Sequence, residues 1–180
     1  MREEDLLTIL ASGNVCRWHR EELPAQSVAA HSWRACIIAW GLGASKEVIE
    51  ALMFHDVDEL YTGDIPADMK WQAPEDFRRI LHSMSMKWRE ANSVPEPWLN
   101  DRRQKLLKLA DWSEALLYCV EQRRQGNQCA ALIFWRLFYR CEDLAFDKHH
   151  TDWINRLAIE WEAAGGPFIE REQLEEKEGI

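Results

Sequence analysis

Apolar residues recur at three- and four-residue intervals along nearly the whole chain, and no stretch keeps the alternation of a half-buried strand. That pattern restricts the chain to packed helices, and its breaks fall at caps, glycines and prolines. A first helix is expected over residues 3–11, stopping near Ser12-Gly13-Asn14. Ser27 can cap a second through about residue 42, ended by Gly43, and Ser45 a third that reaches His55-Asp56. Gly63 and Pro66 make 61–66 a turn. Pro74 opens a fourth helix to about residue 89, and 92–97 is a linker. Further helices are expected over 99–124, 129–146 and 151–163, ahead of Gly165-Gly166-Pro167. The expected fold is all-α, a single bundle of about six to seven helices over residues 1–165. Residues 166–180 read as a charged, flexible C-terminal tail.

At 180 residues one domain can bury a sizeable core. A net charge of −9 argues against a partner such as a nucleic-acid polymer, which calls for a basic face. It leaves room for a small anionic substrate met by a few well-placed cations. The five cysteines are odd in number and show no C-x-x-C spacing, which fits free thiols in a reducing cytoplasm. No signal-peptide pattern and no run of 18 apolar residues appears, so neither secretion nor a membrane partner is expected. Ten tryptophans are unusual; most, including Trp33, Trp40, Trp88, Trp112, Trp135, Trp153 and Trp161, fall in helical stretches and read as core or interface filling.

The chemistry concentrates in His55-Asp56-Val57-Asp58-Glu59-Leu60-Tyr61-Thr62-Gly63-Asp64-Ile65-Pro66. Neighbouring helical residues project about 100° apart, so His55 and Asp56 reach one point only near a helix end. His31 lies on the face of the second helix shared by Val28, Ala35 and Ile38, and Asp111 interrupts an apolar helix face. Either alone would be an ordinary core polar residue. Together with His55-Asp56 they come from three helices, and a cation would satisfy them all. Glu59, four residues after His55, faces the same point if the helix continues, and Asp64 sits on the turn set by Gly63 and Pro66.

The series Arg17-Trp18, S-V-A-x-H-S, H-D-x-x-E-x-x-T-G-D-I-P, Lys70 and K-L-A-D resembles the HD-domain phosphohydrolase superfamily. It is most similar to the compact YfbR-type 5′-deoxynucleotidases and the phage DatZ-type dATP triphosphohydrolases, over roughly residues 14–125. The resemblance implies an HD-domain bundle with His31, His55, Asp56 and Asp111 as metal ligands. Two imidazoles and two carboxylates suit one divalent transition metal such as Co, Mn, Zn, Ni or Fe. With only His82 between the HD pair and Asp111, one metal is expected rather than two. The resemblance makes Glu59 the group that handles the attacking water's proton, and Asp64 a group that protonates the leaving 5′-oxygen or aligns the water. Arg17, Lys70 and Lys108 become phosphate contacts, although Lys108 is equally placed to pair with Asp111 three residues on. Trp18 becomes the wall that disfavours a 2′-hydroxyl, or otherwise one more core indole. His19, His82, His149 and His150 match no ligand position and read as surface or structural.

The implied activity is hydrolysis at the α-phosphorus of a small-molecule deoxynucleotide. Compact length and the R-W-H opening favour dNTP triphosphohydrolysis over dNMP nucleotidase activity. A catalytically idle nucleotide sensor and another phosphodiesterase stay open. The resemblance also implies a homo-oligomer, and a cytoplasmic location (the host cytoplasm if the chain is phage-encoded). Two departures stand out. Ala30 replaces the glutamate usual before this histidine, losing a capping-box contact of about 1 kcal/mol or less. The loop from Arg17 to His31, with Arg20, Glu21 and Glu22, is one residue shorter than in relatives, so base preference does not carry over.

Overall fold

The computed structural model of the chain describes residues 2–18, 23–65 and 67–178; His19, Arg20, Glu21, Glu22 and Pro66 lie outside them. In chain order the described residues form α1 (Glu3–Ser12), β1 (Cys16–Arg17), β2 (Gln26–Ser27), α2 (Val28–Gly41), α3 (Lys46–Phe54), α4 (Glu59–Thr62), α5 (Ala67–Gln72), α6 (Glu75–Ala91), α7 (Asp101–Arg124), α8 (Ala130–Leu144), α9 (Lys148–Ala163) and α10 (Arg171–Glu178). The all-α expectation holds. The short α4 and α5 raise the helix number, and a ladder of two residues per strand pairs Cys16 with Ser27 and Arg17 with Gln26, antiparallel.

Helix starts follow side-chain chemistry. Ser27 Oγ accepts the Ala30 amide at 3.2 Å, as its position suggested. Asn100 accepts from Arg103 N and starts α7, and Asp147 accepts from His150 N, so α9 begins ahead of the expected residue 151. Ser45 stands before α3 but makes no side-chain capping bond.

The 24-residue α7 is the spine, packed against α2, α3, α8 and α9. On one side lies the main core, where Phe134 stacks on Trp161 at 4.3 Å beside Leu109, Leu116 and Cys119. A smaller core joins Ala35 and Ala39 of α2 to Val48 and Leu52 of α3 through Ala110. Asp111 follows Ala110 directly, which places the polar cluster where α2, α3 and α7 meet.

Two expectations change. Trp33 and Trp40 are 67% and 72% exposed on α2 and fill no core within the chain. Within the segment read as a flexible tail, residues 167–174 pack against α8 and α9. The Pro167 carbonyl accepts both Trp135 Nε1–H and Trp161 Nε1–H, the Ile169 carbonyl accepts Tyr139 O–H, and Leu174 of α10 is buried. A Cβ at Gly166 would overlap the Trp161 indole, so a side chain there is excluded by close approach. The indoles' need for acceptors, invisible in the tail's own composition, holds it down. Among the described residues no helix is long and apolar enough to cross a membrane.

Phe134 is fully buried and meets the rings of Trp135, Phe138 and Trp161. Phe134→Ala is expected to lower unfolding stability by about 3–5 kcal/mol, read from the urea midpoint at unchanged m-value.

Candidate metal centre

The site begins where α3 stops. In a continuing helix the Leu52 carbonyl would accept the Asp56 amide; here the His55 ring takes it, Nδ1 at 2.6 Å. Arg89, reaching over from α6, donates to the Phe54 carbonyl at 2.8 Å and to Asp58 Oδ1 at 2.9 Å. The chain therefore tightens into a turn over 55–58 and restarts as α4 at Glu59. The helix does not continue to Glu59. Glu59 reaches the site as the first residue of a new helix, and the His55-Asp56 pair sits at a helix end as required.

His31 Nε2, His55 Nε2 and Asp111 Oδ1 all lie within 4.8 Å of one another. His31 Nε2 is 3.2 Å from His55 Nε2 and 3.1 Å from Asp111 Oδ1, and the His55–Asp111 separation is 3.6 Å. Asp56 Oδ2 flanks them, 3.2 Å from His55 Nε2 and 3.7 Å from His31 Nε2. Donors about 2.0–2.2 Å from one ion stand roughly 3.0–3.6 Å apart, so these spacings suit a single transition metal.

Tautomers make the case stronger. His31 Nδ1 lies 2.5 Å from Glu114 Oε2, an acceptor, and His55 Nδ1 faces the Leu52 carbonyl. Both Nδ1 atoms therefore carry the proton, and two Nε2 lone pairs face each other across 3.2 Å with carboxylate oxygens beside them. Only positive charge between them relieves that arrangement. In the absence of a metal, a proton serves. Burial alone would lower the His55 pKa, but Asp56 and Asp111 outweigh it and raise it to about 10. Burial likewise works against charge on Asp56 and Asp111. The imidazoles and Arg17 hold Asp56 well below the usual carboxylate range, and Lys108 and the imidazoles do so for Asp111.

Glu114 was not anticipated. It is fully buried on α7, three residues after Asp111, and its carboxylate meets two hydrogen-bond partners and one guanidinium. Oε2 holds His31, while Oε1 accepts Gln26 Nε2–H at 2.8 Å and lies 2.9 Å from Arg34 Nε. The signal available was its i,i+3 spacing from Asp111, a buried carboxylate that needs partners.

The remaining candidates surround this cluster. Glu59 is buried; burial first, then Asp56 and Asp64, push its pKa up to about 8. Its Oε2 meets no hydrogen-bond partner among the described residues, and Oε1 is 3.9 Å from Lys70 Nζ on α5. Arg17, on β1, has Nε 4.0 Å from Asp56 Oδ2 and a buried Nη1 without a partner among the described residues. Lys108 Nζ pairs with Asp111 Oδ2 at 3.2 Å, so the plain ion-pair alternative is realised while Oδ1 still faces the imidazoles. Trp18 has φ +66°, a rare backbone state for a bulky residue, and its amide donates to Asp64 Oδ2 at 3.2 Å. Its ring lies parallel to Tyr118 at 5.9 Å, with the Arg17 guanidinium 5.6 Å from its centroid. His82 and His149 are exposed, and His150 is buried against Phe146, away from the cluster.

A metal must displace the His55 proton. Below pH 6.5 a His55 that is charged in both states adds its full favourable interaction to the metal-free fold, and that contribution disappears as pH rises through about 10. Co²⁺ binding is therefore expected to release about one proton and to tighten about tenfold per unit between pH 7 and 9, measured by calorimetry in buffers of differing ionisation enthalpy. Glu114→Gln leaves one oxygen for three donors and weakens the hold on His31. Co²⁺ affinity should fall about 10–100-fold in the same titration.

Comparison with known proteins finds likenesses in sequence and in fold. The HD domain family model matches residues 14–90. A 5′-deoxynucleotidase of Vibrio vulnificus (strain YJ016) is 26% identical over 148 residues, covering 67% of this chain and 75% of the relative. The 5′-deoxynucleotidase YfbR of Escherichia coli (strain K12 / DH10B) is 28% identical over 126 residues, covering 57% and 63%. Two solved structures share the fold at 18% identity. The PH0347 protein of Pyrococcus horikoshii OT3 has a TM-score of 0.66, covering 88% of this chain and 99% of that one. The cyanophage S-2L HD phosphohydrolase DatZ, bound to dA and one catalytic Zn²⁺ ion, has a TM-score of 0.62 and covers 92% and 97%. The helical fold and these likenesses agree: residues 14–90 match the HD domain family, and the chain is similar to the YfbR-type 5′-deoxynucleotidases in sequence and to DatZ in fold.

Proposed function

We propose that the chain hydrolyses 2′-deoxynucleotides at the α-phosphorus, with one divalent transition metal held by His31, His55 and Asp111 and flanked by Asp56. The observation that carries this reading is the pairing of unmet needs at one place. Inward lone pairs call for a cation, while Arg17 Nη1 and Glu59 Oε2, both buried and near Asp56, lack partners among the described residues. A phosphate ester with an attacking water meets those needs together. When bound, the metal supplies Lewis acidity at the phosphate and makes water easier to deprotonate. Arg17 offers its guanidinium to the phosphate oxygens, and Lys108 and Lys70 add positive charge at the more exposed rim. Glu59 accepts the water's proton, its basicity raised by burial beside Asp56 and Asp64. Asp64, fixed by the Trp18 amide, serves the leaving 5′-oxygen.

A deoxynucleoside monophosphate is the preferred substrate, which reverses the order suggested by chain length and the R-W-H opening. Support comes from the curated relatives at 26–28% identity, which carry the name 5′-deoxynucleotidase. The triphosphate reading is favoured by one feature, the half-exposed Lys70, available to phosphates beyond the first. The deciding assay supplies dAMP, dATP, AMP and ATP with Co²⁺ or Mn²⁺ and resolves products by chromatography. Phosphate from dAMP is expected. Triphosphate from dATP without phosphate from dAMP would replace the first reading by the second. Nucleotide binding without any product would instead make the protein a sensor.

Glu59→Ala should retain Co²⁺ binding and lose about 10²–10⁴-fold in kcat; near-normal turnover would remove Glu59 from its role.

A further inference from the structure

An unbroken hydrogen-bond chain runs from the Trp18 indole to the metal cluster. Trp18 Nε1–H donates to Gln26 Oε1 at 3.3 Å, and Gln26 Nε2–H donates to Glu114 Oε1 at 2.8 Å. Glu114 Oε2 accepts His31 Nδ1–H, and His31 Nε2 faces His55 and Asp111. The middle link tolerates few side chains. An indole nitrogen only donates and an ionised carboxylate only accepts, so the bridging residue must accept at one end and donate at the other. An amide does both, and Gln26 is buried, which leaves water little access to substitute for it. The β-ladder sets its reach, since Gln26 pairs with Arg17, next to Trp18, and is followed by Ser27, the cap of the helix that carries His31.

Trp18 is held at three further points: its left-handed backbone, its amide bond to Asp64 and its ring against Tyr118. None of these fixes the rotation of the indole edge as a directed bond at Nε1 does. The Glu114 end is different, because Arg34 and His31 hold that carboxylate without Gln26.

We propose that Gln26 is a specificity-determining positioning residue: it locks the Trp18 indole in the orientation that excludes a 2′-hydroxyl, and it is dispensable for metal binding. The inference rests on the reading of Trp18 as the sugar wall of a deoxynucleotide site.

Two substitutions separate the ends of the bridge. Gln26→Leu removes both bonds, whereas Gln26→Glu keeps an acceptor for the indole and loses the amide donor to Glu114. Binding of dAMP and AMP to metal-free protein, measured by calorimetry, reads sugar preference without turnover. Co²⁺ titration reads the metal site, and thermal melting checks the fold. Wild type should prefer dAMP. Gln26→Leu should lower that preference about five- to tenfold while holding Co²⁺ near wild-type strength, and Gln26→Glu should keep the preference. Adding Gln26→Leu to Trp18→Phe, which has no indole N–H, should change the preference no further.

A folded Gln26→Leu protein that discriminates as wild type does would overturn the inference. So would loss of Co²⁺ binding in parallel with preference, which would make Gln26 a support of the metal cluster. If Gln26→Leu does not fold, loss of preference in Gln26→Glu overturns it, and retention there with a null effect of Gln26→Glu in Trp18→Phe supports it. Equal binding of dAMP and AMP by wild type would overturn the sugar-wall reading itself, and the inference with it.

Discussion

The imidazole of His31, gripped from behind by Glu114, is the contact on which the rest of the site depends. A buried carboxylate at Nδ1 decides which nitrogen carries the proton, and so turns Nε2 into a lone pair aimed at His55 and Asp111. Without that decision the same residues could settle into a neutral hydrogen-bonded knot. With it, they form a concentration of electron density that binding of a cation relieves. Glu114 is itself tolerable in the interior because the Arg34 guanidinium lies 2.9 Å from its other oxygen, where Gln26 adds a further hydrogen bond. The electrostatic demand at the centre therefore extends outward through three elements, the ladder, α2 and α7.

How much of this was legible in the sequence depended on distance along the chain. His31, His55, Asp56 and Asp111 stood out because each breaks an apolar face or falls at a helix end, a conflict a single helix cannot resolve. Ser27 announced its cap for the same local reason. Glu114 was within reach, one turn beyond Asp111, but a glutamate on a helix reads as solvent-facing until its burial is known. Gln26 carried no local signal, since its partners lie eight residues before it and 88 after it. The break after Phe54 was hidden likewise, because Arg89, which donates to the Phe54 carbonyl there, comes from α6.

The tryptophans teach a similar lesson. Helical spacing marks a residue as belonging to a face without saying which face is covered. Trp135 and Trp161 close over the C-terminal segment through a shared carbonyl, whereas Trp33 and Trp40 point outward from α2. The tail's charge-rich composition suggested freedom, yet its first residues are held by acceptor positions that any backbone offers, whatever the side chains.

Helix α7 has a consequence for how such a protein can change over time. It carries Lys108, Asp111 and Glu114 on the same rod as Leu109, Leu116 and Cys119 of the core, so altering the metal cluster from α7 also disturbs packing. Arg17 and Gln26 lie on the ladder, and Glu59, Asp64 and Lys70 on short helices and connections, and none of these five belongs to the two main cores. Labour is thus divided within one small bundle: the rod holds chemistry and stability constant, while substrate range can drift in the segments around its mouth at little risk to folding.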